Sequence, residues 1–274
     1  MYKQTLKAIM ALLFSGSATI GLAGNDTMLL HSGWKFRQAN RNEWHSATVP
    51  GVVHTDLLDN GLIEDPYYRL NERSLQWIDK EDWIYEVSFD AGTLTRGYEH
   101  VRLEFLGLDT YADVFLNETR ILTADNMFRR WAAEVKPLLK ERGNVLRVYF
   151  HSPINKALPQ YESLPYRYEA WNDQADNGGL DGKKLSPFTR KAGYHYGWDW
   201  GPRLVTSGIW RPVKLQGWNE LRLEDVFHRQ TEVSSEAARV ETQVEIEAAA
   251  PVENAVVTVS DGKRVLGSRS VQLH

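Results

Sequence analysis

Apolar residues recur at every second position in short runs along this chain and almost nowhere at helical spacing. Trp83, Tyr85, Val87 and Phe89 fall on one side of a run whose other side is Ile84, Glu86, Ser88 and Asp90. Val101, Leu103 and Phe105 alternate in the same way, as do Leu146, Val148 and Phe150, and then Val213 and Leu215. Successive side chains of an extended strand point to opposite faces. Each run, bounded by Gly, Asp, Asn or Pro, therefore reads as a half-buried strand. Helical signal is limited to His54–Asp59, stopped by Gly61, and to a short turn from Pro137 to Lys140. Many short strands with few helices predict an all-β jelly-roll sandwich, assigned to residues 24–218.

The texture changes after Trp218. Leu221–Val226 reads as a strand, and Val240, Thr242, Val244 and Ile246 alternate. Ala255–Ser260 and Arg264–Val271 flank Asp261-Gly262, a two-residue hairpin signal. Three or four strands fall short of the about seven of an immunoglobulin-like sandwich. Residues 219–274 are thus expected to be the start of such a sandwich, incomplete, and the chain to be one piece of a longer polypeptide. Residues 1–23 read as an export signal. Lys3 and Lys7 lead into the apolar run Ala8–Phe14, which Ser15-Gly16-Ser17 breaks well short of the about 20 residues of a membrane span. Small residues then lead to an expected cleavage point after Ala23, which implies a periplasmic or extracellular location. The sequons Asn25-Asp26-Thr27 and Asn117-Glu118-Thr119 matter only in a glycosylating host.

Composition works mainly by exclusion. With 32 Lys+Arg against 36 Asp+Glu, the formal net charge is −4, which provides no electrostatic footprint for nucleic acid or for an anionic membrane. The absence of cysteine removes disulfides, thiolate metal sites and a cysteine nucleophile. No metal-ligand spacing, phosphate-cradling glycine loop or Gly-x-Ser-x-Gly elbow occurs, so neither a metal nor a cofactor is expected. Arg129-Arg130 and Lys183-Lys184 read as solvated pairs. The doublets Asn42-Glu43, Asn71-Glu72, Asn117-Glu118 and Asn219-Glu220 read as surface residues at turns or strand ends.

The unusual counts are 10 Trp and 12 Tyr, and their placement is informative. Tyr161, Tyr166, Tyr168 and Trp171 lie between Ser152 and Lys191, a stretch punctuated by Pro153, Pro159, Pro165, Pro187 and Gly178-Gly179. It reads as a long loop, and its aromatics mark it as functional, because solvated linkers rarely carry them. Next comes Tyr194-His195-Tyr196-Gly197-Trp198-Asp199-Trp200-Gly201-Pro202. If this segment is extended, Trp198 and Trp200 share one side and Asp199 takes the other. If it is a loop ending at Gly201-Pro202, Asp199 projects between two indoles. A carboxylate framed by flat apolar faces suits a sugar: it accepts two hydroxyl hydrogen bonds, and an indole covers the C–H face of a pyranose. The alternative is a core Trp pair with Asp199 capping a turn, since Trp is mostly buried wherever it occurs. His195 could donate to a hydroxyl or serve structure alone.

Four segments together resemble the N-terminal part of the β-mannosidases of the family-two glycoside hydrolases. They are Val49–Leu58 running on to Gly61–Arg69, Trp77 through Tyr85, Leu108-Asp109-Thr110 with Val114–Asn117 and Asp125–Arg130, and Arg190-Lys191 followed by Trp198–Pro202 and Ser207–Arg211. The resemblance implies a galactose-binding-like jelly roll, then an immunoglobulin-like sandwich, then a (β/α)8 barrel that supplies two glutamates for retaining hydrolysis. No residue of this chain is then catalytic, and the chain alone is expected to be inactive. The resemblance further implies that the Trp198–Pro202 loop closes the barrel mouth into a pocket. Asp199 would bind hydroxyls of the non-reducing terminal mannose, and Trp198, Trp200 and His195 would wall the pocket or hold the loop. Arg190 and Lys191 would touch sugar, anchor the loop or balance Asp199. The expected partner is a manno-oligosaccharide or glycan with terminal β-mannose, together with the barrel of the same polypeptide. The alternatives are a stand-alone lectin-like sandwich and a related family-two β-galactosidase or β-glucuronidase.

Overall fold

A computed structural model describes residues 2–12, 26–235, 237–249, 254–260 and 265–272. They separate into two compact units, Thr27–Gln216 and the pair of segments Met1–Asp26 and Gly217–His274.

In the first unit the period-two runs become strands of two sheets. Strands β3 (Lys35–Gln38), β4 (His45–Ser46), β5 (Trp83–Phe89), β7 (Tyr111–Leu116), β8 (Thr119–Asp125) and β10 (Asn144–Phe150) form a six-stranded sheet in the order β4-β3-β5-β10-β7-β8. Strands β2 (Asp26–Leu29), β6 (His100–Phe105), β9 (Trp131–Glu134) and β11 (Val213–Trp218) form a second sheet, ordered β2-β11-β6-β9. The alternation sets which face turns inward: Val101, Leu103 and Phe105 of β6 and Ala112, Val114 and Leu116 of β7 are buried, with their neighbours half-exposed. Register then brings like faces together, with Val148 opposite both Tyr85 and Val114. The main core gathers Phe36, Tyr85, Val87, Leu103, Phe105, Val114, Leu146 and Phe150. Each fully buried side chain of this kind contributes about 1.5–3 kcal/mol. Strand β5 departs from simple alternation. Its outward Glu86 is also buried, paired with Lys35 at 2.9 Å and Arg147 at 2.7 Å.

Helix α1 (Val53–Asp59) ends as expected near Gly61, which sits at φ 66°. Short helices α2 (Asn71–Ser74) and α3 (Gly92–Gly97) follow, and the turn expected at Pro137–Lys140 is a 3-10 turn at Lys136–Leu138. The stretch read as one long loop needs correction. Its first part is helix α4 (Pro153–Ser163). Ser152 caps it, accepting from the Asn155 N–H at 3.0 Å, and Pro153 occupies the first helical position, where its missing N–H costs nothing. Ile154 and Ala157 of α4 join Ala175, Leu180, Leu185, Tyr196 and Val205 in a second small core. Pro153, read as loop punctuation, therefore starts a helix that also contains Pro159, and the stretch is a folded insertion.

In the second unit, β12 (Leu221–Val233) and β13 (Ala238–Ala248) form an antiparallel pair. Strand β1 (Tyr2–Leu12) lies along the other edge of β13, giving the order β1-β13-β12. Val244, Ile246 and Ala248 are buried against Leu221, Leu223 and Val226. Strands β14 (Asn254–Ser260) and β15 (Val265–Gln272) pair as an antiparallel hairpin, whose expected turn at Asp261-Gly262 lies outside the described residues. The expected cleavage point after Ala23 also lies outside them.

Candidate functional site

The segments that carry the resemblance are scattered over more than half the chain, and the first unit draws several of them to one place. The Gly51 and Val53 amides donate to Ile209 O (2.9 Å) and Ser207 O (2.8 Å), and Asp109 and Gly208 exchange a pair of 2.9 Å backbone bonds. Gly208 allows this approach, since a Cβ there would stand 2.7 Å from the Gly51 carbonyl oxygen. The Met127 amide donates to Arg190 O at 3.0 Å, and Trp210 Nε1 donates to Met127 O at 3.0 Å.

From this junction rises the Trp-Asp-Trp segment, and it is a turn. Trp198 and Gly201 exchange backbone hydrogen bonds of 3.3 Å, leaving Asp199 and Trp200 at the corner. Asp199 is exposed and Trp200 is 84% exposed, so the core-pair alternative fails for Trp200. The half-buried Trp198 ring meets Trp200 edge-on, with centroids 5.8 Å apart and planes at 70°. One side chain decides the turn: Gln174 Nε2 donates to Trp198 O at 2.7 Å while its backbone amide donates to Tyr196 O at 2.9 Å. The contact needs glycine at 197, whose φ is 111° and where a Cβ would lie 2.6 Å from Gln174 Cγ.

Both flanks of the turn are tied to buried charges. On the N-terminal side the Lys191 ammonium donates to both Asp109 carboxylate oxygens, to Thr206 O (2.9 Å) and to Thr206 Oγ1 (3.1 Å). Burial drives Lys191 below its ordinary pKa. Burial works to raise Asp109, but the ammonium beside it and the hydroxyl donors hold that carboxyl low. Lys191 is therefore an anchor and not a sugar contact, while Arg190 is exposed, 3.6 Å from Asp125. On the C-terminal side the buried Arg203 guanidinium donates to Gln76 Oε1 and Asp79 Oδ2, each at 2.5 Å, and its amide donates to Glu72 Oε1 at 2.9 Å. Glu72 is thus half-buried and structural, unlike the surface residue its doublet suggested. Gly178 lies under Arg203, where a Cβ would come within 2.5 Å of Cζ.

A cavity of ≈ 400 Å³ opens beside the turn, lined by Trp198, Asp199 and Trp200 together with Tyr67, Arg69 and Arg73 among others. The structure thus brings three of the four site residues expected from sequence into one cavity. His195 does not line it. Its Nδ1 lies 2.9 Å from Thr206 Oγ1, its ring stacks on Tyr194 at 4.8 Å, and burial, with Lys191 nearby, lowers its pKa to about 4. Sequence reasoning missed His54, which faces the same cluster. Its Nδ1 is buried without a partner, and burial followed by Lys191 lowers its pKa to about 3. Gln174 and the Arg203–Asp79 pair were missed too. No local pattern could have found them, because their partners lie 24 to 124 residues away.

Residues 34–211 match the family described as glycosyl hydrolase 2 galactose-binding domain-like. Beta-mannosidase B of Thermothelomyces thermophilus is 40% identical over 202 residues, 72% of this chain and 22% of that protein. Beta-mannosidase of Bos taurus is 35% identical over 196 residues, 71% of this chain and 22% of the relative. The chain therefore spans under a quarter of the length of these two curated relatives. Among solved structures, beta-D-mannosidase from Dictyoglomus thermophilum matches with a TM-score of 0.77 at 35% identity, covering 90% of this chain and 29% of its own. Beta-D-glucuronidase from Dictyoglomus thermophilum, at 14% identity and a TM-score of 0.58, covers 93% of this chain and 38% of its own and shares the fold alone. Carrying this fold and matched from residue 34 to residue 211, the chain belongs to the glycosyl hydrolase 2 galactose-binding domain-like family, as found in β-mannosidase-like proteins.

Proposed function

We propose that the chain is the non-catalytic N-terminal region of an exported, exo-acting, retaining β-mannosidase, and that its Trp198–Gly201 turn forms the lid half of the sugar pocket. The observation that carries this reading is the pairing of an exposed Asp199 and Trp200 at a cavity mouth with a base of buried charge that fixes the turn. An exposed indole on a rigid turn has no use inside the sandwich, and it offers a flat face to a pyranose. Asp199 accepts two hydroxyl hydrogen bonds and so orients the terminal sugar ring. A wall at that end of the pocket admits one terminal residue and blocks passage of a chain, which accounts for exo action. The reacting groups are two carboxyls about 5–5.5 Å apart, as retention requires, in a barrel of the same polypeptide. His195 acts from beneath the turn as a positioning residue, with Lys191 and Thr206. The apolar run Ala8–Phe14 and the small residues before Ala23 support export, a reading under which removal of residues 1–23 takes strand β1 away from the edge of β13.

The test is Asp199→Ala in the polypeptide that contains both this chain and its barrel. Loss of a charge-assisted hydrogen bond costs about 1.5–3 kcal/mol, so kcat/KM on an aryl β-mannoside is expected to fall by one to two powers of ten while the melting temperature holds. Unchanged kinetics would remove Asp199 from the site. Hydrolysis of an aryl β-glucuronide or β-galactoside in place of the mannoside would overturn the substrate.

A further inference from the structure

A second cavity, of ≈ 430 Å³, opens beside β3 and shares no lining residue with the one at Asp199. Its volume lies in the about 300–1,000 Å³ range of small-ligand sites. The buried side chains of Phe36, Leu57 and Trp83 form its floor. Trp77 stands at its side, 39% exposed, with its ring 6.0 Å from that of Trp83. The rim carries Gln38, Arg41, Asn42 and Glu43.

These four rim residues lie at the end of β3 and in the link to β4, and the link is held by its backbone. Arg37 Nη1 donates to the carbonyls of Gln38 at 3.2 Å and Ala39 at 2.8 Å, and the Arg41 amide donates to Gln38 O at 3.0 Å. Among the described residues, none of the four rim side chains makes a hydrogen bond or ion pair with another residue. The loop is thus shaped while its amides, guanidinium and carboxylate stay open to an occupant.

The chemistry of the lining narrows that occupant. Arg41 and Glu43 oppose each other in charge, so the rim favours neither an anion nor a cation. A purely apolar molecule would use the floor alone and leave the polar rim, where Arg41, Asn42 and Glu43 are exposed, bound only to water. A ring with a flat C–H face and a circumference of hydroxyls meets both demands: the face on the indole, the hydroxyls on the rim. The geometry points to a second saccharide site, built from Trp77 and the loop Gln38–Glu43, that takes a neutral pyranose unit of an oligosaccharide. It is separate from the turn at Asp199 and holds a glycan without cleaving it. It draws on the proposed function only for the choice of mannan as first probe.

Native affinity electrophoresis of the complete polypeptide tests this, in gels containing soluble galactomannan, xylan or hydroxyethylcellulose. The protein is expected to be retarded in at least one gel. Trp77→Ala, and separately the double variant Asn42→Ala/Glu43→Ala, are expected to weaken retardation by about ten-fold, as loss of an aromatic face or of two hydrogen-bonding groups implies. Asp199→Ala is expected to keep it. Should Trp77→Ala lower the melting temperature through its packing on Trp83, the exposed double variant decides. Absence of retardation in all three gels, or retardation unaffected by the double variant, would overturn the second site. Retardation abolished by Asp199→Ala alone would also overturn it, by assigning all binding to the first cavity. Failure to hydrolyse an aryl mannoside would count against the proposed function and leave this measurement standing.

Discussion

Lys191→Met removes the ammonium that holds the loop base, and the structure sets the size of the loss. Lys191 and Asp109 are 0% and 1% exposed, so water cannot take the place of either charge. Without Lys191, the Asp109 carboxylate keeps only the hydroxyls of Thr110 and Thr206 as side-chain donors. Deleting one partner of a buried pair costs about 3–5 kcal/mol, because the other charge stays in a poorly polarisable interior. In a domain of about 150–250 residues each kcal/mol moves Tm by about 2–4 °C, so the expected drop is about 6–20 °C. The assay is thermal unfolding followed by circular dichroism at pH 7.5 and pH 5. Unpaired and buried, Asp109 would titrate above its unfolded value and favour its protonated form in the fold. The stability it withholds therefore grows as pH rises, and the deficit is expected to be smaller at pH 5. Adding Asp109→Asn to Lys191→Met removes the stranded charge and is expected to restore much of the loss. A drop under about 2 °C, or a deficit that deepens at pH 5, would refute the claim that this pair holds the base of the turn.

Other outcomes follow from the same geometry. Gly197→Ala places a Cβ at φ 111° and 2.6 Å from Gln174 Cγ, so it is expected to cost about 1–3 kcal/mol and to raise KM on an aryl mannoside in the complete enzyme. Urea titrations of the variant and steady-state kinetics check both parts, and a variant indistinguishable from its parent would show that the turn does not depend on Gln174. His54 and His195 are expected to add stability as pH rises between about 4 and 6. Burial lowers His54 to about 3 and His195 to about 4, so the unfolded chain binds protons that the fold refuses as pH drops below 6.5. Asp56 opposes them, since burial raises it to about 6 despite donors at Thr48 and Tyr85, and its share is lost as pH rises from 3.8 through 6. Asp79, which burial also raises against the pull of Arg203, opposes the histidines alongside Asp56, so the readout is the change on substitution: Asp56→Asn is expected to make stability rise more steeply with pH. Denaturant titrations from pH 4.5 to 7.5 in which Asp56→Asn and its parent show the same pH dependence would contradict these assignments. Finally, Asn117 Nδ2 donates to Leu138 O at 2.8 Å and to Asn144 Oδ1 at 3.0 Å, so mass spectrometry after expression in a glycosylating host is expected to find that sequon unoccupied.

Much of the sandwich was legible because burying one face of a strand is a local demand. Val101, Leu103 and Phe105 announce it within six residues, without reference to any other strand. Helix α4 was not legible. Its turns are cut by Pro159, and its buried face is only Pro153, Ile154 and Ala157, too sparse to set a period. What makes it a helix is the small core it shares with Leu185, Tyr196 and Val205.

The candidate site divides in the same way. Trp198, Asp199 and Trp200 were visible as a chemical constellation, because a carboxylate between indoles is unusual in any fold. Whether they form a strand or a turn, and whether Trp200 is buried or bare, was open. Gln174 and Gly197 close that question by a contact that reaches 24 residues along the chain to Trp198 O. The anchor beneath is longer still: Lys191 and Asp109 are 82 residues apart, and neither has a neighbour in sequence that hints at the other. By itself, then, the order of amino acids determined which segments extend, which face each strand buries and which residue types gather near position 199. Only the tertiary structure decided which charges meet and which indole faces solvent, because those outcomes depend on desolvation, and desolvation exists only once distant segments have packed.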